Sequence, residues 1–115
     1  LSYNNTGAVY DSKGELDKAL EYYNKSLTIR LNTLGDNHPR TADTLHNLGL
    51  LYKSQMKLST ALEYLNRALV TYCNKLGEGH KKVRKTRKLI QSIEFHKYFM
   101  CHHSMMKSLF SSHLI

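Results

Sequence analysis

The sequence has few of the residues that most folds use to make tight turns. It contains one proline, six glycines and no tryptophan in 115 residues. This scarcity argues against a β-sheet architecture, whose short strands need frequent turns, and it favours helices. No apolar run approaches the roughly 18–20 residues that a membrane span needs, so we expect a soluble protein.

Cysteine is also scarce, which bears on the cell compartment. Cys73 and Cys101 are the only two, and they lie far apart in the sequence. Two isolated thiols do not make a disulfide framework and do not match the spacing of a zinc knuckle. They fit a reducing compartment, so we expect a cytoplasmic protein. The chain begins with Leu and shows no leader sequence, so we also expect a piece of a longer protein.

Acidic residues are nearly missing from the last third of the chain. Residues 81–115 carry eight Lys or Arg and one Asp or Glu, whereas residues 1–80 carry nine and eight. The formal charge of +8 therefore belongs almost entirely to the C-terminal segment, and mostly to residues 81–88. We expect a nearly neutral body followed by a basic helix.

The chain repeats itself after 42 residues. This shift aligns 38 pairs of residues without a gap, and fifteen of the pairs are identical. The longest identical block pairs residues 19–22 with residues 61–64, and His38 is paired with His80. Internal repetition of this kind is typical of arrays of stacked units.

Each unit has the apolar periodicity of two amphipathic helices. The stripes are Tyr3, Thr6, Gly7, Tyr10 and Leu16, Ala19, Leu20, Tyr23, Leu27, Leu31 in the first unit, and Leu45, Leu48, Gly49, Tyr52 and Leu58, Ala61, Leu62, Leu65, Ala68, Leu69 in the second. We expect helices over residues 1–12, 16–33, 40–54, 58–75 and 81–95. Leu62 is expected to lie in the core.

Three glycines and a methionine mark places where the backbone is expected to be unusual. Gly14 follows the first helix, where a left-handed residue commonly ends a helix. Met56 stands at the same place in the second unit, so either it carries a strain of about 1 kcal/mol or the turn is built differently. Gly7 and Gly49 lie in mid-helix and predict that the second helix of each pair crosses close to the backbone there.

The order of these residues resembles the tetratricopeptide repeat. The matching residues are Tyr3, Thr6, Gly7, Tyr10, Ala19, Tyr23, Ser26 in the first unit and Leu45, Leu48, Gly49, Tyr52, Ala61, Leu65, Ala68 in the second. The period of 42, longer than the usual 34, is similar to that of kinesin light chains and nephrocystin-like proteins. The resemblance covers about residues 1–94. It implies an all-α fold, an α-α superhelix of about five helices in antiparallel hairpins.

The repeat also predicts how the chain is divided. We expect units over about residues 1–42 and 43–80, a cap helix over residues 81–94, and a poorly ordered tail over residues 95–115. A cap helix covers the core with one face and meets water with its charged face. The tail contains several side chains that can bind zinc or copper, namely His96, His102, His103, Met100, Met105, Met106 and Cys101. Their spacing fits no recognised site, so we expect neither a metal nor a cofactor.

The resemblance implies a scaffold that binds a protein or peptide in a concave groove, as cargo adaptors such as kinesin light chains do. The groove-facing positions of the family correspond here to Asn4, Ala8, Asp11, Ser12, His46, Leu50, Lys53, Ser54 and Lys88. An Asn side chain both donates to and accepts from a peptide backbone. Lys53 and Lys88 favour an acidic peptide. The alternative is that these positions are merely solvated.

Other functions have weaker support in the sequence. No Ser/His/Asp constellation, phosphate-binding loop or pair of carboxylates appears, so we expect neither enzyme activity nor a small-molecule substrate. His38 and His80 recur with the repeat, which predicts a structural role such as bonding a helix end. The alternatives are a segment that accompanies an enzyme domain elsewhere in a longer protein, or weak nucleic-acid binding by the basic helix.

Overall fold

The computed structural model describes the backbone of residues 2–113 and the side chains of residues 2–107. Its helices are α1 (Tyr3–Ser12), α2 (Leu16–Leu34), α3 (Pro39–Ser54), α4 (Leu58–Leu76) and α5 (Lys81–His113). Within residues 2–113 the structure has no strand. α1 packs on α2, α3 packs on both α2 and α4, and α5 packs on α4. The predicted all-α superhelical repeat is confirmed.

The same helices also bear on membrane insertion. Among those the structure describes, none combines the length and the apolar character of a membrane span.

α3 and α5 each begin at a histidine that recurs with the repeat. Nδ1 of His38 accepts a hydrogen bond of 3.1 Å from the backbone N–H of Arg40. Nδ1 of His80 accepts the same bond, also of 3.1 Å, from the N–H of Lys82. Each imidazole therefore satisfies a donor that has no partner within its helix. The structural role predicted for the two histidines is confirmed.

The turns inside the two units share a left-handed residue. The φ angle is 78° at Gly14 and 60° at Met56. The same backbone hydrogen bond of 2.9 Å closes both turns, from Glu15 to Tyr10 and from Lys57 to Tyr52. Met56 is therefore the strained residue that the sequence predicts, and the turn is not built differently.

The mid-helix glycines lie where the paired helices cross. A Cβ atom on Gly7 would come within 2.6 Å of Cδ1 of Tyr23, and one on Gly49 within 2.5 Å of Cγ of Leu65. Real Cβ atoms do not approach other atoms so closely, so a larger residue would push the helices apart. The close crossing predicted from these glycines is confirmed.

The core consists of three adjoining clusters between the helices. Their buried residues are Ala42, Leu45, Ala68, Tyr72, Val83 in the first, Ala19, Tyr23, Leu48, Leu51 in the second, and Ala61, Leu65, Ile90, Ile93 in the third. Leu51 is fully buried although the predicted stripe omits it. Leu62, predicted as core, is only half-buried at the edge of the third cluster, where Leu65 is fully buried.

α5 is longer than the sequence predicts. The predicted end near residue 95 is wrong for the helix, which continues to His113. Contact with α4 does stop near Ile93, and the described side chains of residues 94–107 are all exposed. Apolar periodicity shows where packing ends, whereas the helix continues because residues 81–113 contain no glycine or proline to end it. That the tail is poorly ordered in solution stays a prediction, and residues 114–115 lie outside the described part.

Candidate functional site

The first helices of the repeat, α1, α3 and α5, meet around a cavity of about 270 Å³. The lining residues are Asn4 of α1, Asp43, His46 and Asn47 of α3, Tyr72 of α4, and Lys82, Lys85 and Thr86 of α5. On α3 and on α5 the lining residues follow the same i, i+3, i+4 spacing, which places them on one face of each helix. A ligand in this cavity would contact all three first helices.

A hydrogen-bond network holds the first and second units together on one side of this cavity. Oδ1 of Asn4 accepts bonds from Oγ1 of Thr44 at 3.3 Å and from Nδ2 of Asn47 at 3.1 Å. Nη1 of Arg30 donates to the Thr44 hydroxyl at 2.9 Å, and the Ser26 hydroxyl lies 3.2 Å from it. Asn4 thus stabilises the contact between α1 and α3, a role that its prediction as a groove residue did not include.

The described residues of the second junction do not repeat this network, and Asp43, Tyr72 and Lys82 form a different one there. The 42-residue shift converts Thr44, Asn4, Ser26 and Arg30 into Thr86, His46, Ala68 and Tyr72. Thr86 is 1% exposed, and its Oγ1 has no hydrogen-bond partner among the described residues. A buried hydroxyl without a partner costs about 1–3 kcal/mol. The cavity therefore lies at a junction whose polar groups are incompletely satisfied.

The one carboxylate in the cavity, that of Asp43, is already engaged. The phenol of Tyr72 donates a hydrogen bond to Oδ1 of Asp43, and Nζ of Lys82 lies 3.0 Å from the same oxygen. Burial raises the pKa of Tyr72, and the hydrogen bond to Asp43 raises it further, so the phenol remains a donor at neutral pH. The ammonium of Lys82 also lies 5.7 Å from the centroid of the Tyr72 ring.

His46 is the histidine among the residues that line the cavity. Its ring is half-buried and lies 6.5 Å from the ring of Tyr72, centroid to centroid. Burial lowers the pKa of His46, Lys85 lowers it further, Asp43 opposes the change, and Lys82 adds to it. The imidazole is therefore neutral near neutral pH. Lys85 forms no ion pair within the described side chains, so two ammonium groups face a single carboxylate.

The structure brings two of the predicted groove residues together. Asn4 and His46 line the same cavity, as their equivalent positions in the repeat suggest. Lys88, predicted to continue their line on α5, is exposed but does not line the cavity. Lys85, one helical turn earlier, lines it instead.

The other predicted groove residues lie outside the cavity. Ala8, Ser12 and Ser54 are exposed, whereas Asp11, Leu50 and Lys53 are half-buried. The Tyr23 hydroxyl donates to Asp11 at 3.4 Å, and burial together with Asp11 raises the pKa of Tyr23 to about 12. The hydroxyls of Ser12 and Ser54 donate to carbonyls of their own helices, at 3.0 and 3.1 Å. Three of these side chains therefore have partners inside the molecule.

Six lining residues were missed by sequence reasoning. They are Asp43, Asn47, Tyr72, Lys82, Lys85 and Thr86. The spacing of Asp43, His46 and Asn47 on one helical face is a signal that could have found the α3 residues. The signal for Tyr72 is weaker, because a tyrosine on a second helix also fits a purely apolar role.

The basic residues of α5 lie on its surface. Lys81, Arg84 and Lys88 are exposed, and Arg87 forms an ion pair of 2.8 Å with Glu78. In the described part of the chain, no three His, Cys, Asp or Glu side chains lie close enough together to hold a metal ion.

The chain is similar to known proteins in sequence and in fold. A family model described as tetratricopeptide repeat matches residues 1–73. Among solved structures, the crystal structure of BtubC (BKLC) from P. vanneervenii is similar, with a TM-score of 0.78 and 25% sequence identity. The match covers 83% of this chain and 37% of that chain, so this chain spans little more than a third of that protein's length. A search of curated proteins found no match.

Proposed function

Because the chain belongs to the tetratricopeptide repeat family, we propose that it is a scaffold that binds an extended segment of a partner protein along α1, α3 and α5. Repeats of this family are non-catalytic and mediate binding to proteins or peptides. The observation that carries the proposal is the cavity where the three first helices meet. Side chains from every unit reach it, so a single segment can contact all of them.

The charges of the cavity favour an acidic segment. The carboxylate of Asp43 already has Tyr72 and Lys82 as partners, whereas Lys85 has no ion-pair partner among the described residues. Complementary charge steers the encounter of two molecules and fixes their register more than it adds affinity. We therefore expect acidic residues of the partner to select this cavity.

Residues on either side of the cavity extend the proposed groove. Ala8 and Asp11 continue it along α1, and Leu50 and Lys53 along α3. Lys88 adds a positive charge at its edge on α5. In this proposal the half-buried Leu50 contacts an apolar residue of the partner next to its acidic residues. The resemblance to kinesin light chains suggests that the partner is a cargo or adaptor protein in the cytoplasm.

Nucleic-acid binding by α5 is the second candidate, because Lys81, Arg84 and Lys88 are exposed on it. Such binding would be weak and would decrease steeply with salt, since it depends on the release of counterions. A role beside an enzyme domain in a longer protein also stays a prediction.

The test uses synthetic peptides that share length and apolar content and differ only in charge. Fluorescence polarisation would measure their binding to the whole chain at physiological salt. We expect acidic peptides to bind more tightly than neutral ones, and basic peptides to bind least. Lys85→Ala should weaken the binding of acidic peptides about three- to fivefold, because an exposed charge contributes about 0–1 kcal/mol.

The matched control is Lys75→Ala, which removes the same charge from an exposed position on α4 that does not line the cavity. An equal loss in the two variants would show a general effect of charge and contradict the proposed site. Failure of every peptide to bind would contradict the proposed function. Tight binding of a DNA duplex at the same salt would favour the second candidate.

A further inference from the structure

We infer that a carboxylate of the partner binds beside Lys85 in the cavity, and that its binding draws a proton from solvent onto His46. The inference rests on the proposed function and adds to it a chemical group and a dependence on pH. In this step a proton from solvent forms an N–H bond on the imidazole, the partner carboxylate stays ionised, and nothing is oxidised or reduced.

Polar and charged groups surround His46. Four helices border the cavity that His46 lines. Asn4 contributes an uncharged amide, Asp43 on the same helix as His46 contributes a carboxylate, and Tyr72 contributes a phenol. Lys82 and Lys85 contribute ammonium groups. The Asp43 carboxylate already binds Tyr72 and Lys82. The charge of Lys85 is therefore the one that a ligand would compensate.

A carboxylate bound beside Lys85 should raise the pKa of His46. In the free protein, burial and then Lys85 lower the pKa of the imidazole. A carboxylate within about 4–6 Å favours the protonated form of a base and raises its pKa. Once protonated, both ring nitrogens are donors, and the ring can bond to the carboxylate that caused the change. Carboxylate and proton thus each increase the affinity for the other.

The two junctions differ in the residue that stands at the position of His46. The position of His46 is occupied in the first unit by Asn4, whose Oδ1 already accepts two hydrogen bonds and which does not titrate. At the second junction the ring has taken that place, and the neighbouring Thr86 hydroxyl has no partner among the described residues. Of the two described junctions, the second therefore combines one unsatisfied hydroxyl, an uncompensated ammonium and a titratable ring.

The affinity for the partner should therefore depend on pH. Between the two pKa values of His46 the bound protein holds more protons on average than the free protein, by at most one. Affinity should therefore increase as the pH falls from about 8 to about 5.5, a range in which histidine titrates. Aspartate and glutamate side chains, with a usual pKa of about 4, stay ionised there. We expect a gain of about threefold or more, since each pKa unit corresponds to at most about tenfold.

The first experiment uses acetate as the probe and NMR as the readout. The imidazole signal of His46 would be followed against pH in sodium acetate and in sodium chloride of equal ionic strength. We expect the His46 midpoint to be higher in acetate, and we expect Lys85→Ala to remove most of the difference while Lys75→Ala keeps it. The same midpoint in both salts would overturn the inference.

The second experiment measures proton uptake by calorimetry with the tightest acidic peptide of the charge series. Titrations in two buffers with different heats of ionisation give the number of protons taken up on binding. We expect net uptake in the wild-type chain and none in His46→Asn, which introduces the residue that the first unit carries at this position. His46→Gln serves as the second variant if the first does not fold.

The two proposals can fail separately. A peptide that binds without proton uptake, with an affinity independent of pH, would overturn the inference and leave the scaffold function standing. If no peptide binds, the scaffold proposal fails, and the acetate titration still decides whether His46 responds to a carboxylate.

Discussion

At the scale of single residues, the turns of the two units differ in one side chain that changes their energy. Gly14 and Met56 share a left-handed backbone and the same closing hydrogen bond. Glycine adopts this conformation without strain, whereas a residue with a Cβ pays roughly 1–2 kcal/mol. Met56 is 56% exposed, so its side chain offsets little of that strain by burial. The second unit therefore carries a local strain that the first unit avoids.

Met56→Gly should stabilise the protein for this reason. We expect a gain of about 0.5–1 kcal/mol in the free energy of unfolding, less than the full strain because glycine also loses more backbone freedom on folding. Urea denaturation followed by circular dichroism would measure it. Met56→Ala removes the same side chain and keeps the strain, so it should give no gain. If both variants were equally stabilised, the side chain and not the backbone would be responsible.

At the scale of helices, α3 is covered on two sides and α1 on one. Val9 of α1 and Leu51 of α3 occupy the same position in the repeat, yet Val9 is 53% exposed and Leu51 is fully buried. Leu51 packs in the cluster that α3 forms with α2, around Ala19 and Tyr23. Val9 has no such unit against its outer face in the described part of the chain.

Because of this difference, substitution by alanine should cost more stability at Leu51 than at Val9. Leu51→Ala should lower the free energy of unfolding by about 2–5 kcal/mol, as large-to-small changes in a core do. Val9→Ala should cost about 0.5 kcal/mol, as surface changes usually do. Chemical denaturation of both variants would decide the point. Similar losses at the two sites would show that α1 is covered on its outer face in solution.

The helices were predictable from the sequence because each has a clear apolar stripe and clear end signals. The first four observed helices begin and end within two residues of the expected positions. Leu51 was missed because a single stripe describes contact with one neighbour, and α3 has two. The end of α5 was missed because its exposed residues have no stripe, although their backbone continues as a helix.

At the scale of the whole molecule, the candidate site depends on contacts between units that the sequence register does not reveal. Shifting by 42 residues pairs Asn4 with His46, which line the same cavity, and extends the line to Lys88, which does not line it. Residues at the same position in successive units are not the residues that face each other across a junction, however. The side chains that meet His46 from α5 come from one or more turns earlier, at Lys85 and Lys82. Predicting them requires the crossing of the helices, which periodicity alone does not provide.

The one-sided packing of α1 should also affect how often this helix opens. In a linear stack each unit is stabilised only by its neighbours, so a helix with contacts on one face opens more often than a helix with contacts on two faces. α1 packs on α2 and has a small contact with α3 that includes the Asn4 hydrogen bonds, whereas α3 and α4 each pack extensively on two helices. Hydrogen–deuterium exchange should therefore be fastest in α1 and in residues 94–107, and slowest in α3 and α4. Equal protection of α1 and α3 would contradict this order.

Opening of α1 would also remove one side of the cavity, because Asn4 lies on it. A partner bound between α1 and α5 would have to leave before α1 could open, or would keep it closed. Occupancy of the cavity should therefore appear as slower amide exchange in a helix that contributes only one of the lining side chains. By the same coupling, a partner with a longer residence time in the cavity would keep α1 closed for longer.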